Sequence, residues 1–222
     1  MDCQDLRMDQ ERLVAADRDA PRPMPRDVAA VMEALAGDDP RAVVLVEGKS
    51  DQAALETLAA RRGRDLGAEG VSIVPMGGAT TITHFLDALG PLGLEVTLAG
   101  LCDAGEEGSF RRALDRAGLG SGLTRTEMEG LGFFVCVADL EDELIRCLGA
   151  DSVEEVVAGQ GELGSFRIFQ NQPAQRDRPR EAQLRRFLGT RSGRKIHYAR
   201  LLVEALDLGR VPPPLDGVLA HL

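Results

Sequence analysis

The run Ala42-Val43-Val44-Leu45-Val46 is apolar at every position and ends directly against Glu47. A strand with one wet face alternates, so an unbroken run of this length predicts a strand covered on both faces. Gly48 permits a sharp turn, and helical composition follows over 50–62. Carboxylates at the C-terminal end of a buried parallel strand stand where open α/β sheets bind their ligands. Glu47 and Asp51 occupy that place here.

The same unit recurs along the chain. "VSIVP" (71–75), "LEVTLAGLC" (94–102) and "GFFVCV" (132–137) read as further strands. Each is followed by helical sequence: 80–89 after the "MGGAT" turn, then "SFRRALDRAG", then "ADLEDELIRCLG". A short helix over 27–36, stopped by "GDDP", precedes the first strand. Four β-α units with short connections predict a mostly parallel four-stranded sheet, Rossmann-like, with helices on both faces. Beyond Ala150 no strand is expected; 152–158, 180–188 and 194–206 read as helices, and "VPPPLDGVLAHL" as a proline-braked tail. The expected organisation is an N-terminal arm with a short helix (1–38), the α/β domain (39–150) and a helical, arginine-rich C-terminal extension (151–222).

Three strand ends carry acids: Glu47 and Asp51, then Asp103, then Asp139 and Glu141. A parallel sheet brings these ends to one edge, where crowded carboxylates raise one another's pKa. A divalent cation removes that penalty, and Mg²⁺ in particular combines one or two protein carboxylates with phosphate oxygens. Cys3, Cys102, Cys136 and Cys147 form no CxxC pair, and His84, His197 and His221 are scattered, so a soft-metal site is not expected.

The chain of 222 residues has a formal charge of −10, against nucleic-acid binding at first sight. Its distribution says otherwise. Between Arg167 and Arg200 stand ten basic residues opposed only by Asp177 and Glu181. Such asymmetry is the footprint of phosphate binding, or of arginines that pair with the acidic remainder. No stretch approaches the ~20 apolar residues that cross a bilayer. The charged first dozen residues are unlike a secretory signal, so the expected location is the cytoplasm, with no membrane partner.

"LVEGKSD", "VPMGG" and "LAGLCD" together resemble the Toprim domain of topoisomerases, primases and related nucleases, and most closely that of OLD-family ATP-dependent endonucleases. The resemblance implies that Glu47, Asp51 and Asp103 hold divalent metal, Mg²⁺ or Mn²⁺ and two ions, while Glu47 doubles as a catalytic residue. By order and surroundings, Glu141 in "DLEDEL" joins the ligands and Lys195 in "SGRKIHYA" becomes the catalytic lysine. The usual motif is Asp-x-Asp, but Gly105 stands at its third position; Glu106 or Glu107 is the candidate replacement, and Glu107 completes the expected ligand set. No G-x-x-x-x-G-K-[ST] run occurs, so a stand-alone Toprim protein is expected, with a separate ATPase or a second copy of itself as possible partner.

DNA is the expected substrate, its phosphates met by Arg176, Arg178, Arg185, Arg186, Arg191 and Arg194. Three functions are open on this reading. They are a metal-dependent nuclease, a nucleic-acid-binding or regulatory protein weakened by Gly105, and a small-molecule phosphohydrolase, which would not need so extended a basic surface. Gly77 and Gly78 are expected to serve backbone geometry, Thr80 and Thr81 to cap the next helix, and His84, on the core-facing helix "ITHFLDAL", to take no part in chemistry.

Overall fold

The computed structural model describes residues 26–38, 40–89, 96–190 and 193–222. The expected N-terminal arm, Cys3 and Arg191 lie outside the described residues. Strands β1 (Ala42–Val46), β2 (Val71–Pro75), β3 (Thr97–Cys102) and β4 (Phe133–Val135) form one sheet in the order β2-β1-β3-β4. Every neighbouring pair is parallel. All five residues of β1 are fully buried, as an unbroken apolar run between two neighbours requires.

Helices α1 (Arg26–Asp38), α2 (Lys49–Arg61), α3 (Ile82–Leu89), α4 (Glu107–Arg116) and α5 (Arg125–Gly130) belong to the strand-bearing part. Beyond it follow α6 (Leu140–Leu148), α7 (Ala150–Gly159), α8 (Leu163–Gln170), α9 (Arg180–Leu188), α10 (Arg194–Ala205) and α11 (Pro213–His221). The α5 and α8 helices are not legible as helical runs. The supposed tail is helical because its prolines fall at the first helical positions, where a missing N–H costs nothing.

The sheet divides two apolar clusters. Val43 and Leu45 face one, with Val28 of α1, Phe85 of α3 and Phe110 of α4. Ala42, Val44 and Val46 face the other, with Leu55 and Leu58 of α2, Tyr198 and Leu202 of α10, and Leu215 and Val218 of α11. The C-terminal helices thus cover one face of the sheet and share its core. Four arginines fasten them. Arg61 donates to the carbonyls of Val203 (2.7 Å) and Leu206 (2.8 Å) at the end of α10. Arg64 and Arg41 donate to those of Leu219 and Leu222, and Arg62 pairs with Asp216 at 2.6 Å.

After β1 the chain turns to one side to form β2 and then returns to the other side for β3. The crevice between the C-terminal ends of β1 and β3 is therefore the switch point where such sheets bind ligands. Val46 stands opposite Leu101, so Glu47 and Asp103 leave adjacent strands within one residue of each other in height.

Close packing in the sheet leads to a prediction. A Cβ on Gly100 would lie 2.7 Å from the Phe133 ring and 3.2 Å from the Leu45 carbonyl, whereas one on Gly105 meets nothing. Gly100→Ala should cost about 1–3 kcal/mol through overpacking. Gly105→Ala should stay within about 0.5 kcal/mol of the parent. Urea midpoints at constant slope would read both.

Candidate active site

Each carboxylate at the sheet edge is placed by a local device. The Gly48 N–H donates to Asp51 Oδ2 at 2.9 Å, so Asp51 closes the first turn of α2, where negative charge is favoured, and is only 6% exposed. The Met76 and Gly77 N–H groups donate to the carbonyls of Val46 and Glu47, pinning the double-glycine turn to the end of β1. Gly77 and Gly78 have φ of +72° and +139° with open space at each Cβ position, so the backbone conformation alone requires glycine. The Thr81 hydroxyl does not cap the helix; it donates to the carbonyls of Met76 and Gly78 and staples the turn. After β3, Asp103 enters one tight turn (Ala104–Glu106), and the Ala104 N–H donates to the Ala138 carbonyl, joining the loops after β3 and β4. Asp139 caps α6 by accepting from the Asp142 N–H at 2.9 Å, which sets Glu141 in the first turn.

Two adjoining clefts result. The first, about 510 Å³, is walled by Glu47, Asp51 and Asp103 on the sheet side and by Thr190 and Lys195 on the C-terminal side. The second, about 540 Å³, is lined by Asp139, Glu141, Arg178, Arg185 and Arg186. Gly189 and Lys195 belong to both. Lys195 Nζ lies 3.2 Å from Glu141 Oε2, so the two residues assigned by order and surroundings are in contact.

Burial and crowding act together on the acids. Glu47 is raised by burial, then by the charges of Asp51 and Glu106. Asp51 and Glu141 are raised chiefly by burial. Asp103 is pushed up to about 7 by burial and then by Glu47, Asp51 and Asp139. Burial opposes the charge on Lys195, but Glu141, Asp51 and Asp103 outweigh it and hold the ammonium above its ordinary range. Glu47 Oε2 and Glu141 Oε1 are buried without a hydrogen-bond partner, and such atoms are costly.

An all-oxygen donor set with mutual repulsion and two unpartnered carboxylate oxygens fits a hard divalent cation. Among the described residues no three acidic, histidine or cysteine side chains close on a single point, so the carboxylates wall the cleft and do not form a finished cage. Cys102 and Cys136 are buried free thiols pushed far up by desolvation, which leaves them inert.

Several expected residues go elsewhere. Glu107 lines neither cleft; it pairs with Arg125 at 2.8 Å and with Arg111, and the Arg125 hydrogen bond holds its carboxyl low. It is Glu106, its neighbour, whose charge reaches Glu47. Arg194 is not a surface group: it is 7% exposed and bound to Glu162, Thr190 and the Phe187 carbonyl. Arg185 holds Asp139 at 2.6 Å, and Arg178 donates to the Ala174 carbonyl. Arg167 and Arg180, also in the basic run, pair with Glu154. Arg176 and Arg186 are exposed. Asp139, legible as a strand-end acid but outside the expected ligand set, acts on Glu47, Asp51 and Asp103. Gly189, which lines both clefts, and Thr190, which lines the first, carried no sequence signal.

The raised Asp103 has a consequence for metal-free protein. Its pKa climbs on folding from an ordinary 3.8 to about 7, so between those values the folded state binds more protons than the unfolded. Its contribution to stability therefore falls as pH rises through that window. In EDTA the melting temperature should be higher near pH 5.5 than at pH 8, Mg²⁺ or Mn²⁺ should restore it at pH 8, and Asp103→Asn should flatten the profile. Scanning calorimetry at the two pH values is the check.

Residues 40–104 match the family model "Overcoming lysogenization defect protein-like, TOPRIM domain". No curated protein matches the chain significantly. Among solved structures, the C-terminal region of the OLD protein from Xanthomonas campestris pv. campestris superposes with a TM-score of 0.64 at 24% identity, over 82% of this chain and 92% of that one. A second structure of the same region gives 0.62 at 25% identity, over 82% and 94%. The C-terminal region of the Burkholderia pseudomallei OLD protein gives 0.63 at 17% identity, over 82% and 96%. With the motifs, the parallel strand order and the acid-walled switch point in agreement, the chain carries an OLD-like Toprim domain in a fold shared with the C-terminal region of OLD proteins.

Proposed function

We propose that this chain is a divalent-metal-dependent nuclease that hydrolyses phosphodiester bonds of DNA in the cytoplasm. The observation that carries the reading is Lys195 set between an acid-walled cleft and an arginine-lined one, in contact with the buried Glu141. The first cleft attracts cations. The second has four cationic side chains against two carboxylates and attracts phosphate.

Glu47, Asp51, Asp103 and Glu141 would hold two Mg²⁺ or Mn²⁺ ions, which when bound lower the pKa of an attacking water and neutralise the leaving oxygen. Glu47, half-buried and with one oxygen unpartnered, is the group to accept a proton from that water. Lys195 places a fixed positive charge where the phosphoryl group gains negative charge. Arg178 and Arg186, with Arg185 once it releases Asp139, hold the flanking phosphates in register without reading bases; Arg176 extends that track. A separate ATPase or a second copy of the chain is the partner this reading would accommodate.

A second reading has its own support. Gly105 replaces the second aspartate of the motif, and Glu107 is engaged by Arg125 and Arg111. A domain so altered would bind nucleic acid or regulate a partner without cutting.

Supercoiled plasmid distinguishes the two. The nuclease should nick it with Mg²⁺ or Mn²⁺, lose activity in EDTA and in Glu47→Ala, and slow by about 10²–10³-fold in Lys195→Ala. Salt-sensitive DNA binding by folded protein with no cleavage would establish the regulatory reading. Because the space at Gly105 is open, Gly105→Asp should fold normally and tighten Mn²⁺ binding, as isothermal titration would show.

A further inference from the structure

Helix α10 enters the site through its first turn, where Arg194 and Lys195 are consecutive. Consecutive helical residues point about 100° apart. Whatever fixes the direction of Arg194 therefore fixes that of Lys195. Arg194 is held on three sides: its guanidinium donates to Glu162 Oε1 (2.8 Å), to Thr190 Oγ1 (2.8 Å) and to the Phe187 carbonyl (3.2 Å), and it stacks over the Phe187 ring at 4.3 Å. One turn further along α10, the buried Tyr198 donates its hydroxyl to the other oxygen of the same carboxylate, Glu162 Oε2, at 2.7 Å. A single carboxylate thus grips two residues, one turn apart, on one face of α10.

We propose that Glu162 is a positioning residue for Lys195, acting through Arg194 and Tyr198. Glu162 stands at the N-terminal flank of α8, and its backbone N–H donates to the Val157 carbonyl of α7. Its carboxylate therefore refers the rotation of α10 to the α7–α8 corner. Arg194 passes the same constraint to the end of α9, whose Gly189 and Thr190 border the clefts. Lys195 is left on the adjoining side of the helix with its ammonium on Glu141. A Lys in place of Arg194 would offer one point charge and no planar stack, so the fork geometry of arginine is required. The catalytic importance of this positioning rests on the proposed nuclease role of Lys195; the positioning itself does not.

The chain has two lysines, Lys49 and Lys195, so protein grown on lysine labelled with ¹³C at Cε gives two signals, assigned with Lys49→Arg. Lys49, exposed where it borders the acid-walled cleft, supplies the comparison signal. In Glu162→Gln and in Tyr198→Phe the Lys195 signal should move toward the Lys49 position, further in the first. On plasmid, kcat should fall by about 10-fold in Glu162→Gln, with KM within about twofold. A Lys195 signal unmoved in both variants, even with a lowered melting temperature, would overturn the proposal and leave the cluster a purely structural staple. If Glu162→Gln fails to fold, Tyr198→Phe alone decides by the same signal. If the parent protein cuts nothing, the nuclease reading falls while the lysine signals still decide the positioning.

Discussion

The structure depends on a central strand buried on both sides. Every residue of β1 is inaccessible to water, and a strand in that state needs a full apolar layer against each face. One layer comes from α1, α3 and α4. The other comes from α2 together with α10 and α11, which lie far along the chain. Covering that second face is what brings Lys195 to the strand ends. The requirement that stabilises the sheet also assembles the site, since α10 cannot pack on α2 without delivering its first turn to the crevice between β1 and β3.

Arginine serves the fold here as much as any ligand. Arg41, Arg61 and Arg64 donate to carbonyls at the ends of α10 and α11, which are otherwise unsatisfied where a helix stops. Arg194 is buried in a fork between Glu162 and the end of α9. Several donors in one plane suit these tasks better than the single ammonium of lysine. A count of basic residues therefore overstates the surface left for phosphate. Among the described arginines of the basic run, the exposed Arg176, Arg178, Arg186 and Arg200 remain after the structural ones are set aside.

The carboxylates that line the two clefts work against stability. Glu47, Asp51, Asp103 and Glu141 are all held above their ordinary pKa values, and two of their oxygens are buried without partners. Local devices make the arrangement tolerable: the Gly48 N–H on Asp51, the Lys195 ammonium on Glu141 and the Arg185 guanidinium on Asp139. A divalent cation would offset what these leave uncompensated.

By itself the sequence determined the parallel α/β sheet, because unbroken apolar runs separated by helical stretches admit few other arrangements. It also determined that Glu47, Asp51 and Asp103 share an edge, since parallel strands end together. Gly77 and Gly78 were legible for the same local reason, as φ values there exclude other residues. Tertiary structure alone decided the rest. Glu106 and Glu107 are neighbours of equal chemistry, and the positions of Arg125 and Arg111 draw one of them away from the acids. Arg186 and Arg194 read alike in a basic run, yet helix packing buries Arg194 and leaves Arg186 in water. Pairing and burial depend on which helices meet across the core, and no local pattern of residues carries that information.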